Sequence, residues 1–75
     1  MSNEKDLTLK EAFDLAIKNH QEGKTDIAQD LYNQVLKIDP NYTPAHNNLG
    51  AIFQRLAKYQ KAKDCYEKAI EINPN

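Results

Sequence analysis

An all-α fold of four helices, paired as two antiparallel hairpins, is predicted by three observations. Apolar residues recur at helical spacing through four separate segments. Proline and glycine punctuate the chain between those segments. The tripeptide Asp39-Pro40-Asn41 returns as Asn73-Pro74-Asn75, so the step from Pro40 to Pro74 sets the period of an internal repeat. The joint between the copies runs from Ile38 to Gly50. Pro40 cannot continue a helix, Thr43 is placed to cap the next one, and Pro44 then stands at a first helical position, where its missing N–H costs nothing.

The first element follows a polar stretch, Met1 to Asp6, read as part of a flexible leader over residues 1–8. Thr8-Leu9-Lys10-Glu11 has the form of a capping box, and Leu9, Ala12, Phe13, Ala16, Ile17 and His20 follow on one face, widened by Leu15. This predicts a helix from Leu9 to about Glu22, closed by Gly23 in the left-handed conformation that glycine adopts without penalty. Thr25 is the expected cap of the second helix, with Asp26 at the positive end of its dipole and Ile27, Ala28, Leu31, Tyr32, Val35, Leu36 and Ile38 as its apolar face. A third helix is expected from Pro44 to about Leu56, carrying His46, Leu49, Gly50, Ile52, Phe53 and Leu56. After a turn at Ala57-Lys58-Tyr59, the fourth runs from about Gln60 to Ile72 on Ala62, Cys65, Tyr66, Ala69, Ile70 and Ile72. Such short turns make consecutive helices antiparallel neighbours.

Seventy-five residues allow one domain, at a size where a single core is marginal unless something staples it. Cys65 is the only cysteine, so no intrachain disulfide forms, and stability must come from helix packing or from partners. No apolar run approaches the roughly 18 residues that cross a membrane, and the first residues are too polar for a signal peptide. The expected setting is the cytosol, with no membrane partner.

The net charge of −1 argues against general affinity for nucleic acid. The charge is uneven, at −1 over residues 1–8, −2 over 9–42 and +2 over 43–75. Arg55, Lys58, Tyr59, Lys61, Lys63 and Lys68 could be read as an RNA patch. At helical spacing they spread around the turn and the outer face, and Lys63–Glu67 and Asp64–Lys68 form i,i+4 pairs that offset part of the charge. His20, His46 and Cys65 fall on three different helices, which disfavours a metal site or a Cys–His pair, and the acids Asp64 and Glu67 raise the thiol pKa. With no phosphate loop, nucleophile elbow or HExxH motif, the reading is a non-enzyme that needs no cofactor or metal.

Placed in register, the two copies match Leu15 with Leu49, Ala16 with Gly50, Ala28 with Ala62, Tyr32 with Tyr66, and Pro40 with Pro74. A helix pair recurring with this period resembles the tetratricopeptide repeat, whose pattern is W-x₂-L-G-x₂-Y…A-x₃-F…P. It falls on His46, Leu49, Gly50, Phe53, Ala62, Tyr66 and Pro74 in the second copy, and on Ala12, Leu15, Ala16, Asn19, Ala28, Tyr32 and Pro40 in the first. The departures are the missing Trp, Ala16 for glycine, and Asn19 where an aromatic is common. The resemblance implies an α-α superhelix built of one repeat over residues 9–42 and another over 43–75, acting in protein–protein interaction.

In such arrays the first helix of each pair lines a concave groove. The resemblance places an apolar strip of Phe13 and Ile17 there, flanked by His20 and Gln21 and facing Asn47, Ala51, Gln54 and Arg55. Asn48 stands where peptide-binding members, among them O-linked N-acetylglucosamine transferases, carry an asparagine that grips peptide backbone; a solvated Asn or a local cap is the equally weighted alternative. A carboxylate clamp of the chaperone-tail type is disfavoured, because Phe13 and Ile17 replace its polar residues. The rival role is structural, in a self-assembly or dimerisation segment, an N-terminal part of a longer and possibly glycosyltransferase-like protein, or a designed minimal array. Cys65, Ala69, Ile70 and Ile72 are then expected to face a second copy, by a two-fold contact in preference to head-to-tail stacking.

Overall fold

The computed structural model describes residues 7–74, so most of the expected leader, residues 1–6, lies outside the described residues. The described chain is all helical: α1 Leu9–Gln21, α2 Thr25–Ile38, α3 Thr43–Arg55 and α4 Tyr59–Ile72. Every start and every end of the first pair recurs in the second at the Pro40-to-Pro74 offset, as Leu9 with Thr43 and Ile38 with Ile72. Helix α1 packs on α2, α2 on α3, and α3 on α4, so the elements stack in chain order.

The capping box at α1 forms as expected: Thr8 Oγ1 accepts from the Glu11 amide at 3.1 Å, and the Thr8 amide donates to Glu11 Oε1 at 2.9 Å. The other two expected caps lie one residue too late. Lys24 and Tyr42 hold the N-cap positions without a side-chain bond, and Thr25 and Thr43 are already inside their helices. The reason lies in the backbone. Ala28 N–H donates to the Lys24 carbonyl at 3.0 Å and Ala45 N–H to that of Tyr42 at 3.1 Å, so helical bonding begins before either threonine. Pro44 consequently stands at the second helical position. The joint before it is tied by Asp39, whose carboxylate accepts from the Asn41 amide at 3.0 Å and whose carbonyl accepts from Tyr42 at 3.1 Å.

Gly23 closes α1 at φ +80°, and its counterpart Ala57 closes α3 at φ +60°. A side chain in this left-handed region costs about 1–2 kcal/mol, which glycine avoids. Ala57→Gly is therefore expected to stabilise the protein by about 0.5–1 kcal/mol, once the greater freedom of glycine in the unfolded chain is subtracted. A thermal midpoint that falls in this variant would contradict it.

The core consists of Ala12, Ala16, Ala28, Leu31, Tyr32, Val35, Ala45, Leu49, Ile52, Phe53 and Ala62, and Gly50 is buried among them. Small residues concentrate where helices cross, and Tyr32 fills the space beside them. Several residues expected on the buried faces are exposed instead, namely Leu15, Ile27, Ile38, Leu56 and Ile70. The counterparts of Leu15 and Ile70 in the other repeat, Leu49 and Leu36, are covered where α2 meets α3, a contact that the outer faces of α1 and α4 lack among the described residues. Ala45, absent from the expected face of α3, is fully buried in that helix's first turn.

Candidate protein-interaction face

Tyr32 organises the side chains shared by α1, α2 and α3. Its ring is buried, and its hydroxyl accepts from Asn48 Nδ2 at 3.2 Å. With Asn48 donating, the phenol proton is left for His20 Nδ1, 3.3 Å away. Phe13 packs against the same ring at 5.9 Å between centroids and against Tyr42 edge-on at 5.1 Å. Burial raises the Tyr32 phenol above its ordinary pKa, and the Asn48 bond works in the opposite direction.

The eight residues expected at a partner-binding face fall into two groups. Phe13, Ile17, His20 and Asn48 are half-buried, and each packs on the core or bonds to Tyr32. Asn47, Gln54 and Arg55 lie exposed along α3, with Ala51 half-buried between them. Gln54 Oε1 accepts from the Tyr66 hydroxyl at 3.1 Å, whereas Asn47 and Arg55 make no side-chain hydrogen bond or ion pair among the described residues. Asn48 thus has a structural partner, with Oδ1 still unengaged. Its counterpart Asp14 pairs with Lys10 at 2.8 Å.

His46, in the place of the family's packing aromatic, is a clasp across the joint. Its Nε2 lies 2.8 Å from the Pro40 carbonyl, which only accepts, so Nε2 carries the proton. Nothing in the sequence pattern indicates this bond, because it spans the loop whose path the fold determines. In the first copy Asn19 takes the place of Phe53 and turns its carboxamide onto the Leu15 carbonyl at 2.8 Å.

Of the four residues expected to face a second copy, Ala69 is only 3% exposed and Cys65 and Ile72 are half-buried, whereas Ile70 is 62% exposed. Burial and then Asp64 raise the Cys65 thiol above its ordinary pKa. Among the basic residues, Lys63 pairs with Glu67 at 2.7 Å as expected. The expected Asp64–Lys68 pair is absent: Lys68 turns to Glu71 at 3.4 Å, and Asp64 accepts from Gln60 at 3.0 Å. Lys61 lies over the Phe53 ring, 5.5 Å from its centroid. Among the described residues no three His, Cys, Asp or Glu side chains are grouped to hold a metal ion, and no helix is long and apolar enough to cross a membrane.

Family models match two stretches of the chain, one described as a tetratricopeptide repeat over residues 43–75 and one as a TPR repeat over residues 18–56. The uncharacterized protein ycf37 of Pyropia yezoensis is 40% identical over 53 residues, which are 71% of this chain and 30% of that protein. A probable UDP-N-acetylglucosamine–peptide N-acetylglucosaminyltransferase, SPINDLY of Oryza sativa subsp. japonica, is 35% identical over 52 residues, or 69% of this chain and 6% of the transferase. The small glutamine-rich tetratricopeptide repeat-containing protein 2 of Mycosarcoma maydis is 36% identical over 55 residues, 73% of this chain and 16% of that protein. The chain thus spans less than a third of each of these relatives. With four stacked helices whose boundaries repeat from the first pair to the second, and with the family's pattern matched across it, the chain belongs to the tetratricopeptide repeat family.

Proposed function

We propose that the two repeats, residues 9–42 and 43–75, form a non-catalytic module that holds a peptide segment or partner protein along the face shared by α1 and α3. One observation carries this reading. Asn47 and Arg55 stand exposed and unengaged on α3, while Phe13 and Ile17 offer apolar surface on α1. A carboxamide matches the donors and acceptors of an extended backbone, and the apolar pair suits a side chain of the same peptide. The setting we propose is the cytosol, in keeping with the lone free thiol of Cys65; neither a nucleic acid nor a membrane is the intended partner. The transferase chemistry in the name of the rice relative belongs to that protein, of which the match covers 6%.

The test is selection of peptides by display on the whole chain, followed by Asn47→Ala and Arg55→Ala. Each variant is expected to weaken binding of a selected peptide by about 0.5–1.5 kcal/mol with helix content unchanged. Peptides that bind the double variant as well as the parent chain would place their site elsewhere.

A second reading, self-association into a dimer, is favoured by a different observation. Tyr59 and Ile70, both on α4, are 67% and 62% exposed, the highest values among the large exposed apolar residues described.

A further inference from the structure

The offset between the two repeats provides an internal reference for both ends of the helix stack. Ala45, Asn48, Leu49 and Ile52 lie one turn apart on a single face of α3, and that face meets α2, because Asn48 bonds to Tyr32. Carried back to α1, the same face reads Glu11, Asp14, Leu15 and Lys18, around a shallow cavity of about 390 Å³. Carried forward from α2 to α4, the receiving face reads Ala62, Lys63, Tyr66 and Ile70, which line a groove of about 340 Å³ with Tyr59 and Glu67.

A second copy stacked head-to-tail would set α1 on this groove as α3 sits on α2. Glu11 and Lys18 would then occupy the places of Ala45 and Ile52, both fully buried. Neighbouring helices run antiparallel from the Asn48–Tyr32 contact, so Lys18 would also arrive beside Lys63. Forcing the charged groups of Glu11 and Lys18 into positions that Ala45 and Ile52 fill with no exposure costs more than covering Leu15 returns. A two-fold arrangement of α4 on α4 has no such conflict. It sets Tyr59 of each copy against Ile70 of the other and places each Lys63 by the second copy's Glu67. We propose that the α4 face bearing Tyr59, Ala62, Lys63 and Ile70 is a two-fold docking surface for a second copy of this chain. This rests on the self-association reading above and specifies its geometry, which closes at two copies.

The test is sedimentation of the 75-residue chain from about 10 to 500 μM, a range that brackets a modest dimer affinity. The expected result is a monomer–dimer equilibrium without larger species. Ile70→Lys and Tyr59→Lys each weaken it at least about tenfold, and Leu15→Lys leaves it unchanged. Lys63→Glu and Glu67→Lys are each monomeric alone, since like charges meet twice, and an equimolar mixture of the two forms a heterodimer. Helix content by circular dichroism shows that each variant is folded. A wild-type chain that stays monomeric throughout overturns self-association altogether. A dimer that survives Ile70→Lys, is lost in Leu15→Lys, or is not restored in the charge-swapped mixture overturns the two-fold α4 geometry alone, as does open-ended growth with concentration.

Discussion

Gly50→Leu lowers the thermal midpoint by roughly 4–24 °C, on the expectation that overpacking at this site costs about 1–3 kcal/mol in a domain of this size. A Cβ at Gly50 would lie 2.7 Å from Tyr66 Cε1 and 2.9 Å from its Cδ1 and Cζ. The first repeat shows how much can be accommodated, because Ala16 is fully buried at the equivalent position and Tyr32 fills the place of Tyr66. Gly50→Ala is accordingly close to neutral, as the helix preference of alanine, about 1 kcal/mol over glycine, offsets a small shift of the ring. Leucine adds a branched group that such a shift cannot clear. An unchanged midpoint for Gly50→Leu would mean that the half-buried Tyr66 ring swings out at little cost.

The larger loss is expected at Tyr32. Tyr32→Ala removes a fully buried ring, at about 3–5 kcal/mol. It also strips His20 and Asn48 of their shared partner and Phe13 of one of its two aromatic neighbours. For a chain of this length the total stability is about 4–11 kcal/mol by the usual per-residue range, so this variant is largely unfolded at ambient temperature if the protein sits near the lower end. Tyr32→Phe keeps the ring and loses about 0.5–1.5 kcal/mol with the hydroxyl. Equilibrium denaturation separates the two contributions, and equal losses in both variants would show that the hydroxyl network outweighs the ring. The phenol adds a pH signature. Its pKa is raised in the folded state above the ordinary value near 10, so the unfolded chain releases the proton first and stability declines as pH rises beyond that value. Tyr32→Phe removes this part of the decline.

Helix identity and pairing are legible because proline, glycine and apolar spacing are local signals with direct steric causes. Gly23 and the Thr8–Glu11 box stand where those signals put them. Thr25 and Thr43 fall one residue away from the caps they resemble, because a threonine next to a helix start looks like a cap whether or not the preceding carbonyl has already joined the helix. Ala57 is less legible still: its left-handed backbone is dictated by its equivalence to Gly23 and by nothing in its own chemistry. At the candidate face, spacing identifies which residues share a helix surface. It cannot show that Asn48 and His20 converge on Tyr32 from two other helices, since a contact between residues 16 or 12 positions apart depends on how the helices stack.

The unequal ends of the stack have a consequence for building with this unit. Backbone geometry repeats faithfully from one hairpin to the next, yet Glu11 and Lys18 hold the places that Ala45 and Ile52 fill inside. In the vocabulary of polymer chemistry, the two-fold docking proposed for α4 would make the module a monofunctional monomer, because the α1 face does not fit the α4 groove of a second copy. Tandem gene duplication alone would therefore yield beads on a string. A continuous rod would first require Glu11 and Lys18 to be exchanged for alanine and isoleucine, which is the change that would convert a chain stopper into a link.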